Sequence, residues 1–213
     1  MVQAAARSPA PASGRRMSLV EWAALPEDEP GELVDGLLVE EEVSGYVHEV
    51  VVGWLIHMLR VWITPRGGLV GGSDAKFAVK AQRGRKPDVT VFFPENRRPP
   101  ARGLVRIPPD IAVEVVSPTP SDGRRDRVEK LREYAAFGVR WYWIVDPQLR
   151  SIEVLELGAD GRYAHALDAT DGSIDVPGCE GLRLELDALW EEVDQLGAEE
   201  GEAPEEDQES LPR

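Results

Sequence analysis

Cysteine is all but absent from this 213-residue chain, which has Cys179 alone. A single thiol makes no internal disulfide, and no Cys/His spacing suggests a zinc site. Long apolar runs are also missing. The longest, Val50 to Ile56, is interrupted by Gly53 and followed by His57 and Arg60, far short of the roughly 18 residues a membrane span needs. No membrane partner is therefore expected, and a reducing cytoplasm is the natural compartment. Lysine is scarce too: four residues against twenty arginines. What remains is ordinary globular material, 42% hydrophobic and 30% charged, enough for one compact α/β domain but not for two independent cores.

The formal charge of −15 argues against a polyanionic partner until its distribution is read. Residues 191–213 hold ten acidic residues and one arginine, whereas 76–132 hold fourteen Lys/Arg against seven Asp/Glu. A positive middle beside an acidic tail is compatible with nucleic acid. Residues 1–16, rich in Ala, Pro, Ser and Arg, read as a disordered leader. Residues 17–190 read as the folded domain, and 191–213 as a disordered acidic tail.

Within the domain, Ser18 to Leu25 reads as a short helix capped by Ser18. Leu33 to Val43 reads as a hairpin turning at Asp35-Gly36. Tyr46 to Ile63 is a helix whose stripe Val51, Leu55, Leu59 and Trp62 faces a core. Strands are expected at Leu69–Gly72, Ala75–Ala81, Val89–Phe93 and Ile111–Val116. Arg83 to Lys86 reads as a turn, and 94–109 as a Pro- and Arg-rich loop. A helix over Asp126–Phe137, stopped by Gly138, is followed by strands at Arg140–Val145 and Ile152–Leu157. Weaker strands are expected at Tyr163–Leu167 and Leu182–Leu186.

Two carboxylates stand out against this frame. Asp88 opens the strand Val89–Phe93, and Glu114 interrupts the apolar strand Ile111–Val116. An ionised Glu inside such a strand is costly unless paired or bound to a metal. If the strands are neighbours, Asp88 and Glu114 converge on one hard cation such as Mg²⁺. Lys130, on the following helix with Arg127 and Tyr134 on its face, is placed to orient a metal-bound water or stabilise charge on a phosphate. The plainer alternative makes Asp88 a turn cap, Glu114 an arginine partner and Lys130 a solvated residue. His48 continues the inward stripe of its helix and Glu32 precedes the hairpin, so both are further candidates for the site. His57, on the opposite helix face, and His165 receive no role. Arg83, Arg85 and Lys86, just before Asp88, together with Arg127 are the expected phosphate contacts, while Trp141, Tyr142 and Trp143 read as strand packing.

The order helix, three strands, helix, strand, with Pro-Asp before one strand and Glu inside the next, resembles the core of the PD-(D/E)xK nuclease superfamily. Three stretches resemble the Uma-two family of predicted restriction endonucleases more narrowly. They are Glu32-Leu33-Val34-Asp35-Gly36, Val113-Glu114-Val115-Val116-Ser117-Pro118, and the segment from Lys130-Leu131 through Tyr134 and Gly138-Val139 to Tyr142-Trp143-Ile144-Val145-Asp146-Pro147. The resemblance implies an α/β restriction-endonuclease-like fold: an αβββαβ core with a mixed central sheet flanked by helices, an N-terminal hairpin and additional C-terminal strands. It also implies Asp88 and Glu114 as ligands of Mg²⁺ (or Mn²⁺), with DNA as substrate and a homodimer as a compatible assembly. The superfamily's lysine, two residues after the Glu, is Val116 here, which leaves the cation role to Lys130. The rival expectation is a catalytically silent nuclease fold that serves as a nucleic-acid or protein interaction module.

Overall fold

The computed structural model describes residues 16–26, 31–39, 45–117 and 125–197. The expected leader lies outside these residues except for Arg16, as does the chain from 198 onward. The Ser117-Pro118-Thr119-Pro120 sequence predicts a turn after the strand of Glu114, and beyond Ser117 it lies outside the described residues.

Helix α1 (Leu19–Ala23) starts on a capping box in which Ser18 and Glu21 satisfy each other's backbone N–H groups. Strands β1 (Glu32–Val34) and β2 (Leu37–Val39) pair antiparallel across Asp35-Gly36. Both turn residues have positive φ, 50° and 76°, which is what a two-residue hairpin demands and why Asp-Gly suits it. Helix α2 (Tyr46–Ile63) follows as its periodicity predicts, burying Val51, Leu55 and Leu59. By length and composition alone it would span a membrane, but its apolar stripe is covered by the main sheet.

That sheet has six strands: β3 (Leu69–Gly71), β6 (Val89–Phe92), β7 (Ile111–Val115), β8 (Trp141–Asp146), β9 (Ser151–Leu157) and β10 (Tyr163–Ala169), ordered β10-β9-β8-β7-β6-β3. Only β7 and β8 run parallel; every other pairing is antiparallel. The parallel pair is buried along its whole length, so both strands read as continuous apolar runs rather than alternating ones. A π-helical turn (Arg125–Lys130) and helix α3 (Leu131–Phe137) connect them.

One sheet face, carrying Val113, Val115, Trp143 and Val145, packs on α2 and on the C-terminal helix α4 (Leu186–Asp194). The other, carrying Ala112, Val116, Tyr142 and Ile144, packs on Tyr134 of α3 and on Phe77 and Val79. The Phe77 and Val79 side chains belong to β4 (Phe77–Lys80), which with β5 (Arg83–Arg85) joins the hairpin in a smaller sheet ordered β2-β1-β5-β4.

Three expectations need correction. Residues Arg83–Arg85 are not a turn but strand β5, paired with β1 and β4. The helix expected over 126–137 is a π turn followed by a short α-helix. The strand expected at Leu182–Leu186 is β12 (Arg183–Glu185), which pairs ahead of α4 with a strand that was not expected, β11 (Ser173–Asp175). Helix α4 buries Leu186, Leu189 and Trp190 and continues four residues into the segment expected to be an acidic tail.

Candidate functional site

Strands β6 and β7 are antiparallel neighbours with Val89 level with Val113. Asp88, one residue earlier, therefore stands level with Glu114, one residue later, at the end of the sheet where its two covering layers meet. The Asp88 carboxylate is fixed from two sides: Oδ2 accepts the backbone N–H of Val115 at 2.7 Å and lies 3.3 Å from His48 Nε2. His48 reaches it from the first full turn of α2 and is 8% exposed. Burial alone would lower the His48 pKa, but the hydrogen bond and charge of Asp88, helped by Glu49, raise it above the usual 6.5.

Glu114 is approached from the opposite layer. Lys130 Nζ donates to its Oε2 at 2.7 Å, and the Tyr134 hydroxyl donates to its Oε1 at 2.5 Å. Lys130 is the last residue of the π turn, whose widened pitch departs from the α-helical ladder that follows; such bulges are frequent at functional sites. One helical turn later Tyr134 falls on the same face. Burial, reinforced by the negative charges of Glu114 and Glu32, holds the Tyr134 phenol well above its usual pKa, so it remains a donor.

A third buried carboxylate completes the cluster. Glu32 Oε1 is 3.8 Å from Lys130 Nζ and accepts the Lys86 backbone N–H at 2.8 Å. Its Oε2 accepts from Arg85 at 2.5 Å. Burial would raise its pKa, but the charges of Lys130 and Arg85, with the Lys86 N–H, outweigh that and bring it down to about 2. Arg85 is fully buried and also engages Glu133 of α3 at 2.6 and 3.1 Å.

The structure thus brings Asp88, Glu114, Lys130, His48 and Glu32 to one end of the sheet. The arginines expected to contact phosphate are instead engaged by carboxylates, Arg85 within the cluster itself. Arg85 faces inward and is consumed by two glutamates, which excludes a phosphate role. Arg83 spans Asp35 and Glu133. Arg127 engages Glu153 at 2.8 Å and Asp146 at 3.3 Å rather than Glu114. Lys86, half-buried, contributes its backbone N–H to Glu32. Trp141, Tyr142 and Trp143 are buried, as strand packing requires. Sequence reasoning used Tyr134 only as a marker of helix face; its four-residue spacing from Lys130 was the available signal for more. Glu133 carried no local signal.

Comparison with known proteins separates lineage from chemistry. The model of the Uma2 family, described as "Putative restriction endonuclease", matches residues 18–188. The chain belongs to the Uma2 family. Among curated proteins none matches it. Among solved structures it is similar to the 1.96 Å crystal structure of a putative nuclease belonging to DUF820 from Anabaena variabilis. The two are 19% identical with a TM-score of 0.66, over 83% of this chain and 99% of that one. The likeness shows the mixed α/β, restriction-endonuclease-like fold.

Every residue of the cluster lies inside the family match. Val116, at the position where the superfamily carries its lysine, is 7% exposed and packed among Phe77, Tyr134 and Tyr142; its place is apolar. Lys130 brings an ammonium to the same glutamate from the neighbouring helix. The Asp88 and Glu114 carboxylates are hard oxygen donors on adjacent strands, a set that fits a divalent cation of the Mg²⁺ class. Glu114 is held by Lys130 and Tyr134, so an ion bound there takes over contacts those two now make. Among the described residues, the three carboxylate and imidazole groups whose ligand atoms all lie within 4.8 Å of one another are Glu153, His165 and Asp168 on β9 and β10, outside this cluster.

Proposed function

We propose that this protein is a Mg²⁺-dependent endonuclease that hydrolyses DNA phosphodiester bonds. In this reading Asp88 and Glu114 hold the metal and Lys130 is the catalytic cation. The observation that carries it is the buried Lys130 ammonium 2.7 Å from Glu114, the carboxylate whose position on β7 stands level with Asp88 on the adjacent strand. A bound divalent cation supplies Lewis-acid polarisation of the scissile phosphoryl group and a more acidic water.

The chain's own residues do the rest. His48 and the Val115 N–H both hold Asp88 through Oδ2 and fix its orientation. Tyr134 fixes the Glu114 carboxylate. Lys130 offers an ammonium that stabilises negative charge developing on the phosphate, where low dielectric strengthens the interaction. Water exclusion by Tyr134, Val116 and Tyr142 keeps that field from being screened.

A second reading, an inactive nuclease fold used as an interaction module, is favoured by one observation: Glu114 is already satisfied by Lys130 and Tyr134 without a metal. Two measurements separate the readings. Plasmid, single-stranded DNA and RNA are incubated with the protein and Mg²⁺ or Mn²⁺, using wild type, Asp88→Ala and Lys130→Met. The endonuclease reading expects DNA cleavage lost in Asp88→Ala and lowered about a hundredfold or more in Lys130→Met, the cost of one transition-state contact. Mn²⁺ calorimetry then expects binding in wild type and loss in Asp88→Ala. A wild type that neither binds the metal nor cuts any substrate establishes the module instead.

A further inference from the structure

Among the described residues Lys130 meets two carboxylates, Glu114 and Glu32, and they are built for different tasks. Glu114 accepts a hydrogen bond from the ammonium directly, whereas Glu32 Oε1 stands 3.8 Å away. Glu114 is also the carboxylate that a divalent ion would use. Two cations on one buried carboxylate repel strongly at low dielectric, so metal uptake requires the ammonium to leave Glu114. An ammonium released inside a site where its side chain is 4% exposed is costly unless a second anion receives it.

Glu32 is placed and immobilised for that purpose. It is fully buried, its carboxyl stays ionised, and Arg85 and the Lys86 N–H fix its two oxygens. Those same contacts leave it poorly suited to ligate a metal itself. Arg85 is anchored in turn by Glu133, three residues after Lys130 on the adjoining helix. The ion chain therefore ties hairpin strand β1 to the segment that carries the lysine.

We infer that Glu32 is the positioning residue for Lys130, taking the ammonium from Glu114 when the metal site fills and directing its remaining N–H groups toward the substrate phosphate. The inference rests on the reading of Asp88 and Glu114 as metal ligands. Its consequence is a coupling in metal affinity that runs through Lys130. Lys130→Met removes the competitor and tightens Mn²⁺ binding. Glu32→Gln removes the receiving charge, so the ammonium holds Glu114 more firmly and Mn²⁺ binds less tightly.

The test is a double-mutant cycle read by Mn²⁺ calorimetry on the full chain, with thermal melting to establish that each variant is folded. Glu32→Gln is expected to weaken Mn²⁺ about five- to tenfold in the wild-type background, a typical coupling for groups in one ionic network, and by less than about twofold when Lys130→Met is already present. Equal losses in both backgrounds, or none, overturn the role. Where Glu32→Gln does not fold, the wild-type protein decides. The ¹⁵Nζ signal of Lys130, followed during Mg²⁺ titration, is expected to shift yet stay protected from solvent exchange. An unshifted signal, or loss of protection, overturns the inference. A wild type that binds neither ion removes the metal-centre reading together with this inference, whereas metal binding with parallel losses removes the role of Glu32 alone.

Discussion

Asp88, Glu114 and Lys130 were legible in the sequence because each breaks a local rule: a carboxylate opening one apolar strand, another inside the next, and a scarce lysine on the helix after it. His48 and Glu32 were candidates as well, from the inward helix stripe and the start of the hairpin; the long-range pairs that hold the cluster leave no such mark. Glu32 and Arg85 are 53 residues apart in the chain, and Arg85 and Glu133 are 48 apart. Nothing near Arg85 says that it faces inward, so an inward arginine and a phosphate-binding one look alike in sequence. The Glu32 carboxyl, brought from 4.5 to about 2, makes the pairing measurable. A folded-state pKa below the unfolded value contributes stability that is full above about pH 4.5 and is lost as pH falls toward about 2. Glu32→Gln is therefore expected to be less stable than wild type near neutrality by about 3 kcal/mol, the scale for breaking a buried ion pair. That difference should narrow as pH falls from about 5 to 3. Urea midpoints measured across this range check it, and a pH-independent difference contradicts the ionised Glu32.

At the scale of elements, periodicity and turn chemistry sufficed wherever one face is buried and the partners are local. Helix α2 follows from its stripe, and the first hairpin follows from Asp-Gly. Strand β5 did not, because three residues with two arginines resemble a solvated turn until Glu32 and Glu133 neutralise them. Its middle residue shows why it must be a strand packed from above. A Cβ on Gly84 would come within 2.2 Å of the Trp22 ring, and Trp22 is 1% exposed. Gly84→Ala is expected to push Trp22 out of its seat and cost about 1 to 3 kcal/mol, the usual price of overpacking. For a domain of this size that lowers Tm by several degrees, about 2 to 4 °C per kcal/mol. Tryptophan fluorescence should shift to the red as the indole meets water, and an unchanged melting curve and spectrum would sink the claim. The π turn before α3 was equally unreadable, since its residues have no composition that separates them from an α-helix.

At the scale of the whole molecule, the order of elements carried the fold while the C-terminal boundary did not follow from composition. Helix α4 is rich in acids, with Asp187, Glu191, Glu192 and Asp194 on its solvent side, and so merges in sequence with the acidic stretch that follows. Its apolar residues Leu186, Leu189 and Trp190 decide the matter by packing on α2 and the sheet. The place to cut is therefore after Gly197. Residues 198–213 hold seven acids, one arginine and a single large apolar residue, Leu211, too little to bury for a cooperative contribution. Removing them is expected to leave Tm unchanged within about one degree. It also deletes six net negative charges, so on the proposed endonuclease reading the DNA affinity of the Asp88→Ala protein should rise severalfold at low salt. The gain should fade as salt is raised and the Debye length shortens to roughly 8 Å near physiological ionic strength. A cut after Glu185 is the contrasting case: it removes three buried side chains, each worth about 2 to 5 kcal/mol, and should leave no cooperative melting transition. Equal stability of the two truncations would place the end of the domain before α4. A large Tm loss on the shorter deletion would place it beyond Gly197.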